Sequence, residues 1–138
     1  MQAVAFDTVQ VLERVALLDG IRGRELRRLA QLFRERSFAE GAAVTAEGEP
    51  GIGFFVITEG SAEVSVRGER RAALGPGDSF GEMALIDDGP RTATVVAATD
   101  LRCLALSAWD FKPFVEEHPT VAWTLLQTLA RRIRDREA

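Results

Sequence analysis

The sequence predicts a mainly β fold, a sandwich or rolled barrel with helices at both ends. Between Phe38 and Leu106 apolar residues recur every second position, the side-chain period of a strand. Turn residues punctuate that stretch at Gly60-Ser61, Arg67-Gly68, Gly75-Pro76-Gly77-Asp78 and Thr99-Asp100. Before and after it, apolar residues return to helical spacing. Many short strands bounded by turns indicate packed or rolled sheets rather than alternating βαβ units.

Taken in order, residues from Thr8 to Leu18 read as a short helix, with Val11, Leu12 and Val15 on one face. A second helix carries Leu26, Leu29, Ala30 and Phe33 at i, i+3, i+4 and i+7, with Arg24, Arg27, Arg28 and Arg34 opposite. That arginine face reads as a solvated surface, since no aromatic or second basic element accompanies it. Its start, Arg22-Gly23, offers no side-chain oxygen to cap the first amides. The strands follow: Phe54, Val56 and Thr58 alternate with Phe55, Ile57 and Glu59; Ala62, Val64 and Val66 alternate with Glu63, Ser65 and Arg67. Thr92–Ala98 and Leu101–Leu106 are two more. Ser107 reads as the N-cap of a helix holding Trp109, Phe111 and Phe114, which Pro113 kinks or ends. A last helix starts near His118-Pro119-Thr120. On it Ala122, Leu126, Leu129 and Ile133 are spaced four, three and four apart, a stripe compatible with core packing or with a homodimer seam.

The expected organisation is one domain over 1–138: N-terminal helices over 1–36, the β region over 37–106 and C-terminal helices over 107–138. A net charge of −4 argues against a general nucleic-acid or membrane-surface role. All but one of the 17 basic residues are arginine, Lys112 being the exception. The single cysteine, Cys103, permits no intrachain disulfide and sits in an apolar strand as a small buried hydrophobe. The N-terminal stretch, interrupted by Asp7, Glu13 and Arg14, reads as neither signal peptide nor membrane span, so a cytoplasmic location is expected.

The densest chemistry lies in Phe80-Gly81-Glu82-Met83-Ala84-Leu85 and Pro90-Arg91-Thr92-Ala93. Backbone amides at a helix start can receive an anion. Gly81 lets a ligand approach the main chain, and Arg91, nine positions after Glu82, offers a fork for two phosphate oxygens. Glu82 would repel a phosphate, so its place is against a neutral hydroxyl pair such as a sugar diol. Together they suggest a small phosphorylated sugar.

The run FGEMALIDDGPRTATVVA resembles the phosphate-binding cassette of the cyclic nucleotide-binding domain, found in bacterial catabolite activators, cyclic-nucleotide-dependent kinases and gated ion channels. The likeness extends over nearly the whole chain, through Gly48-Glu49-Pro50-Gly51, the Phe54–Ile57 strand and Leu74-Gly75-Pro76-Gly77-Asp78. It implies a jelly-roll-like β-roll with the cassette, residues 80–95, between strands, and B/C-type helices after it. It places a cyclic nucleotide against Phe80, Gly81, Glu82, Met83, Ala84, Leu85, Arg91 and Thr92. Glu82 would hold the ribose 2′-hydroxyl, and Arg91 with the amides around Met83 and Ala84 the cyclic phosphate. Thr92 leans toward cAMP with cGMP tolerated. In the family the last helix closes over the base, a role open here to Arg131, Arg134 or Arg136. The resemblance implies a sensor that moves its C-terminal helices, with no catalysis, cofactor or metal, and an effector protein or fused effector domain of unknown kind. The alternatives are a ligand-free interaction module of the same fold, or a regulatory piece of a longer transcription factor, channel or kinase. The match of Gly77-Asp78-Ser79-Phe80-Gly81 to G-x-S-x-G is set aside, because that elbow needs a large α/β sheet and a histidine free to reach the serine. A lone His118 likewise cannot build a cupin-type metal site.

Overall fold

The computed structural model describes residues 8–46, 48, 53–87 and 93–137. Among these residues, eight antiparallel strands form two four-stranded sheets, ordered β1-β8-β3-β6 and β2-β7-β4-β5. In chain order these are β1 (Arg34–Phe38), β2 (Ala43–Thr45), β3 (Gly53–Glu59), β4 (Ala62–Val66), β5 (Glu69–Leu74), β6 (Ser79–Phe80), β7 (Thr94–Ala97) and β8 (Leu101–Ser107). The sheets face one another without closing into a barrel, so the fold is an open roll.

Helices flank the roll: α1 (described over residues 8–12), α2 (Gly23–Ala30), α3 (Ala108–Glu117) and α4 (Pro119–Glu137). The helix expected over Thr8–Leu18 is broken, because residues 13–15 leave helical conformation before a 3-10 turn at Ala16–Leu18. That turn buries Leu17 and Leu18, and Val15 is buried just ahead of it, so tertiary packing overrides a continuous helical face. The first strand begins at Arg34, ahead of the change of period at Phe38.

β3 explains the layering. Its even residues, Phe54 and Val56, join Leu104 and Leu106 of β8 under the helices. Its odd residues, Phe55 and Ile57, face the other sheet with Ala62, Val95, Ala97 and Cys103. A strand covered on both faces carries the unbroken apolar run Phe54-Phe55-Val56-Ile57. At the β3–β4 corner, Gly60 has φ +89, and a Cβ there would run into the Asp100 carbonyl, so the corner requires glycine.

The C-terminal helices follow the sequence closely. Ser107 Oγ accepts the Asp110 amide at 3.1 Å, the expected cap of α3. His118 Nδ1 lies 2.8 Å from the Phe114 carbonyl oxygen, and its ring stacks on Phe114 at 4.4 Å, which commits it to the α3–α4 corner. Arg22 caps α2 with no side-chain bond. Instead, Thr120 Oγ1 donates to Glu25 Oε2 at 2.8 Å and ties the start of α2 to the start of α4.

Candidate functional site

The chain turns out of β6 into the cassette at Gly81, whose φ of +82 lies in the left-handed region that a side chain disfavours. It caps a 3-10 helix, Glu82–Leu85, of four residues. Two anchors hold this piece. Phe80 stacks on Phe55 with ring centroids 5.2 Å apart inside the roll, and Leu85 is buried in the layer beneath the helices. Between them Glu82 is half-buried and Met83 is 54% exposed.

A single 3-10 turn has little macrodipole, so any anion held here depends on individual amides and on cationic side chains. The Ala84 amide is already committed to the Gly81 carbonyl at 3.1 Å. Of the two amides expected to face a phosphate, Met83's is the one without a backbone acceptor among the described residues. Arg91 and Thr92 lie outside the described residues.

Glu82 has a partner that the sequence reading missed. Arg132 Nη1 of α4 stands 3.2 Å from Glu82 Oε1, with the two side chains 38% and 27% exposed. The three arginines expected over the base do not make this contact. Arg131 reaches Thr128 Oγ1 at 3.3 Å and Asp19 Oδ2 at 3.9 Å, while Arg134 and Arg136 are exposed. The signal for Arg132 was present: Val121, Leu125 and Thr128 form the buried stripe of α4, and Arg132 continues it at i+4 from Thr128. The same stripe divides the residues Ala122, Leu126, Leu129 and Ile133, which the sequence left open to core packing or a homodimer seam. Leu129 packs partly into the core, while Trp123, Leu126, Ala130 and Ile133, spaced three, four and three apart, face outward.

A groove of about 590 Å³ opens at the mouth of the roll. None of the described cassette residues lines it, although its Phe55 touches Phe80. Cys103 is buried on the inner face of β8, and desolvation raises its thiol pKa from 9.0 to about 11, opposed in part by the Arg36 charge. Among the described residues there is no cluster of ligating side chains for a metal, and no helix is long and apolar enough to cross a membrane.

Comparison with known proteins gives a consistent result. The profile of the cyclic nucleotide-binding domain matches residues 35–118. A "CRP-like cAMP-activated global transcriptional regulator" of Mycobacterium tuberculosis is 28% identical over 91% of this chain and 58% of its own length. A "Cyclic nucleotide-gated potassium channel" of Mesorhizobium japonicum is 37% identical over 89% of this chain and 34% of its own. The crystal structure of the N-terminal domain of a Streptomyces coelicolor transcriptional regulator superposes with a TM-score of 0.83 at 35% identity, covering 91% of this chain and 93% of that one. The chain therefore spans a little over half of that regulator and about a third of that channel.

Proposed function

The chain belongs to the cyclic nucleotide-binding domain family, and from that premise we propose that it binds a cyclic purine nucleotide reversibly at residues 80–92 and reports occupancy through α4. Arg91 and the Met83 amide take the phosphate, and Glu82 takes the ribose 2′-hydroxyl. The observation that carries the coupling is the 3.2 Å contact of Arg132 with Glu82. A hydroxyl arriving at Glu82 must share or displace that guanidinium, so filling the site alters a contact that α4 holds. Thr92 and the cAMP-activated relative both favour cAMP, with cGMP as the weaker ligand. The output passes to an effector, fused or separate. The outward stripe Trp123, Leu126, Ala130 and Ile133 suits pairing with a second copy along α4.

Calorimetric titration with both nucleotides tests the reading. Arg91→Ala removes the counter-charge of a partly enclosed phosphate and should weaken binding by about 2–4 kcal/mol. An unchanged isotherm in that variant would refute the assignment. In the wild type, ligand should change the fluorescence of Trp123, which sits on α4. Binding with a flat emission response would remove the coupling while leaving the binding site.

A further inference from the structure

We propose that the groove at the mouth of the roll is a second ligand site, distinct from the cassette, that takes a small diphosphate or polyphosphate on Arg34 and Arg36. The placement follows from the pleat. Arg34, Arg36 and Phe38 alternate onto one face of β1, and Phe38 belongs to the cluster between the sheets. Both arginines therefore project on the inner side of an edge strand, and both line the groove. Two residues along a strand set their stems about 7 Å apart, a span that two linked phosphate groups can bridge.

Neither guanidinium has a carboxylate within 4.0 Å among the described residues. Arg36 lies over the Phe38 ring at 5.5 Å, which restricts its rotamers. On a chain of net charge −4, two guanidiniums that face one concavity with no ion pair among the described residues add local positive charge there. Each fork can give paired N–H bonds to phosphate oxygens, which an isolated ammonium cannot. Val44, Phe55 and Leu106 add an apolar stretch of wall, with Thr45 and Ser107 as polar neighbours, so an organic body can sit beside the charged end. Asp110 also lines the groove and disfavours a bare anion near α3, which directs the phosphates to the β1 side. A volume of about 590 Å³ holds a compact ligand of this kind.

Inward charges on an edge strand also serve to block strand-to-strand aggregation, and that role needs only charge. The two roles separate experimentally. Pyrophosphate is titrated calorimetrically into the full chain at fixed ionic strength, with and without saturating cyclic nucleotide. Saturable binding is expected in both conditions. Arg34→Ala/Arg36→Ala should weaken it by about tenfold or more, and Arg34→Lys/Arg36→Lys by a smaller factor, because charge survives but the forks do not. Cyclic nucleotide affinity should stay the same in both variants, which keeps this test independent of the cassette. Thermal melts of both variants should match the wild type, since these side chains are exposed. Absence of pyrophosphate binding up to about 10 mM overturns the site. So does binding that the double alanine variant retains, which would take the anion away from Arg34 and Arg36, or binding that cyclic nucleotide displaces, which would place it in the cassette.

Discussion

The two faces of β3 look into interiors of different character. Toward the helices, Phe54 and Val56 meet Leu12, Leu29, Phe33, Phe111, Val121 and Leu125, a large apolar cluster sealed by several helices. Toward the second sheet, Phe55 and Ile57 meet mostly small residues, Ala62, Val95, Ala97 and Cys103, and the space opens at one end onto two arginines. The outer interior is closed and built for stability. The inner one is thinner and leads to solvent. The cassette joins them, with Phe80 anchored in the inner cluster and Leu85 in the outer, so Glu82 sits where a disturbance reaches both.

The largest expected effect tests that contrast directly. Phe54 is fully buried and packs edge-on against Phe33 at 6.2 Å. Phe54→Ala should cost about 3–5 kcal/mol in urea unfolding, since the sealed layer cannot collapse around the void. Ile57→Val, equally buried on the inner face, should cost only about 0.5–1.5 kcal/mol. A Phe54→Ala loss below about 3 kcal/mol would mean that the helix-facing layer relaxes around the void instead of staying sealed.

The next effect is a pH dependence that belongs to the inner cluster alone. The Cys103 thiol is held protonated up to about 11 in the fold, against 9.0 for an ordinary thiol. Below pH 9.0 the group is neutral in both states and its contribution is complete. Between 9.0 and about 11 only the unfolded chain releases the proton, so stability falls as pH rises through that window. The loss should be about 2–3 kcal/mol, the worth of two pKa units. Denaturation curves at several alkaline pH values should show this decline in the wild type and a shallower one in Cys103→Ala. Parallel declines would detach it from the thiol. The same burial predicts that Cys103 resists thiol reagents until the protein unfolds.

How much of this was legible follows a physical line. β3, β4 and β8 could be read because burial forces a period on them. β1 could not, since Arg-Glu-Arg-Ser-Phe places polar groups on both faces of an edge strand, where burial imposes no pattern. β5, with Glu69, Arg70 and Arg71, escaped for the same reason. In the cassette, Gly81 and Glu82 were named from chemistry, and the short helix was found with its start where expected. Arg132 was passed over because an isolated sequence window shows arginines near a helix end as equivalent. Only the buried stripe through Val121, Leu125 and Thr128 tells which of them turns inward. The outward stripe of α4 differs from the expected one for the same reason, since apolar spacing cannot say which of two stripes faces the core.

The smallest effect on stability is also the sharpest on coupling. The Glu82–Arg132 pair is partly exposed, at 27% and 38%, so solvent screens it and its worth is at most about 1 kcal/mol. In a double-mutant cycle, Glu82→Gln and Arg132→Gln should show an interaction energy of about 0.5–1 kcal/mol that shrinks in molar salt. Arg132→Gln should therefore leave the fold nearly as stable as before. The nucleotide-dependent change in Trp123 emission, however, should be lost, because the link from cassette to α4 is gone while the outer cluster remains closed. A cycle energy near zero with the Trp123 response intact would mean that α4 senses the cassette through Leu85 and apolar packing instead, and the bridge between the two interiors would then be steric rather than ionic.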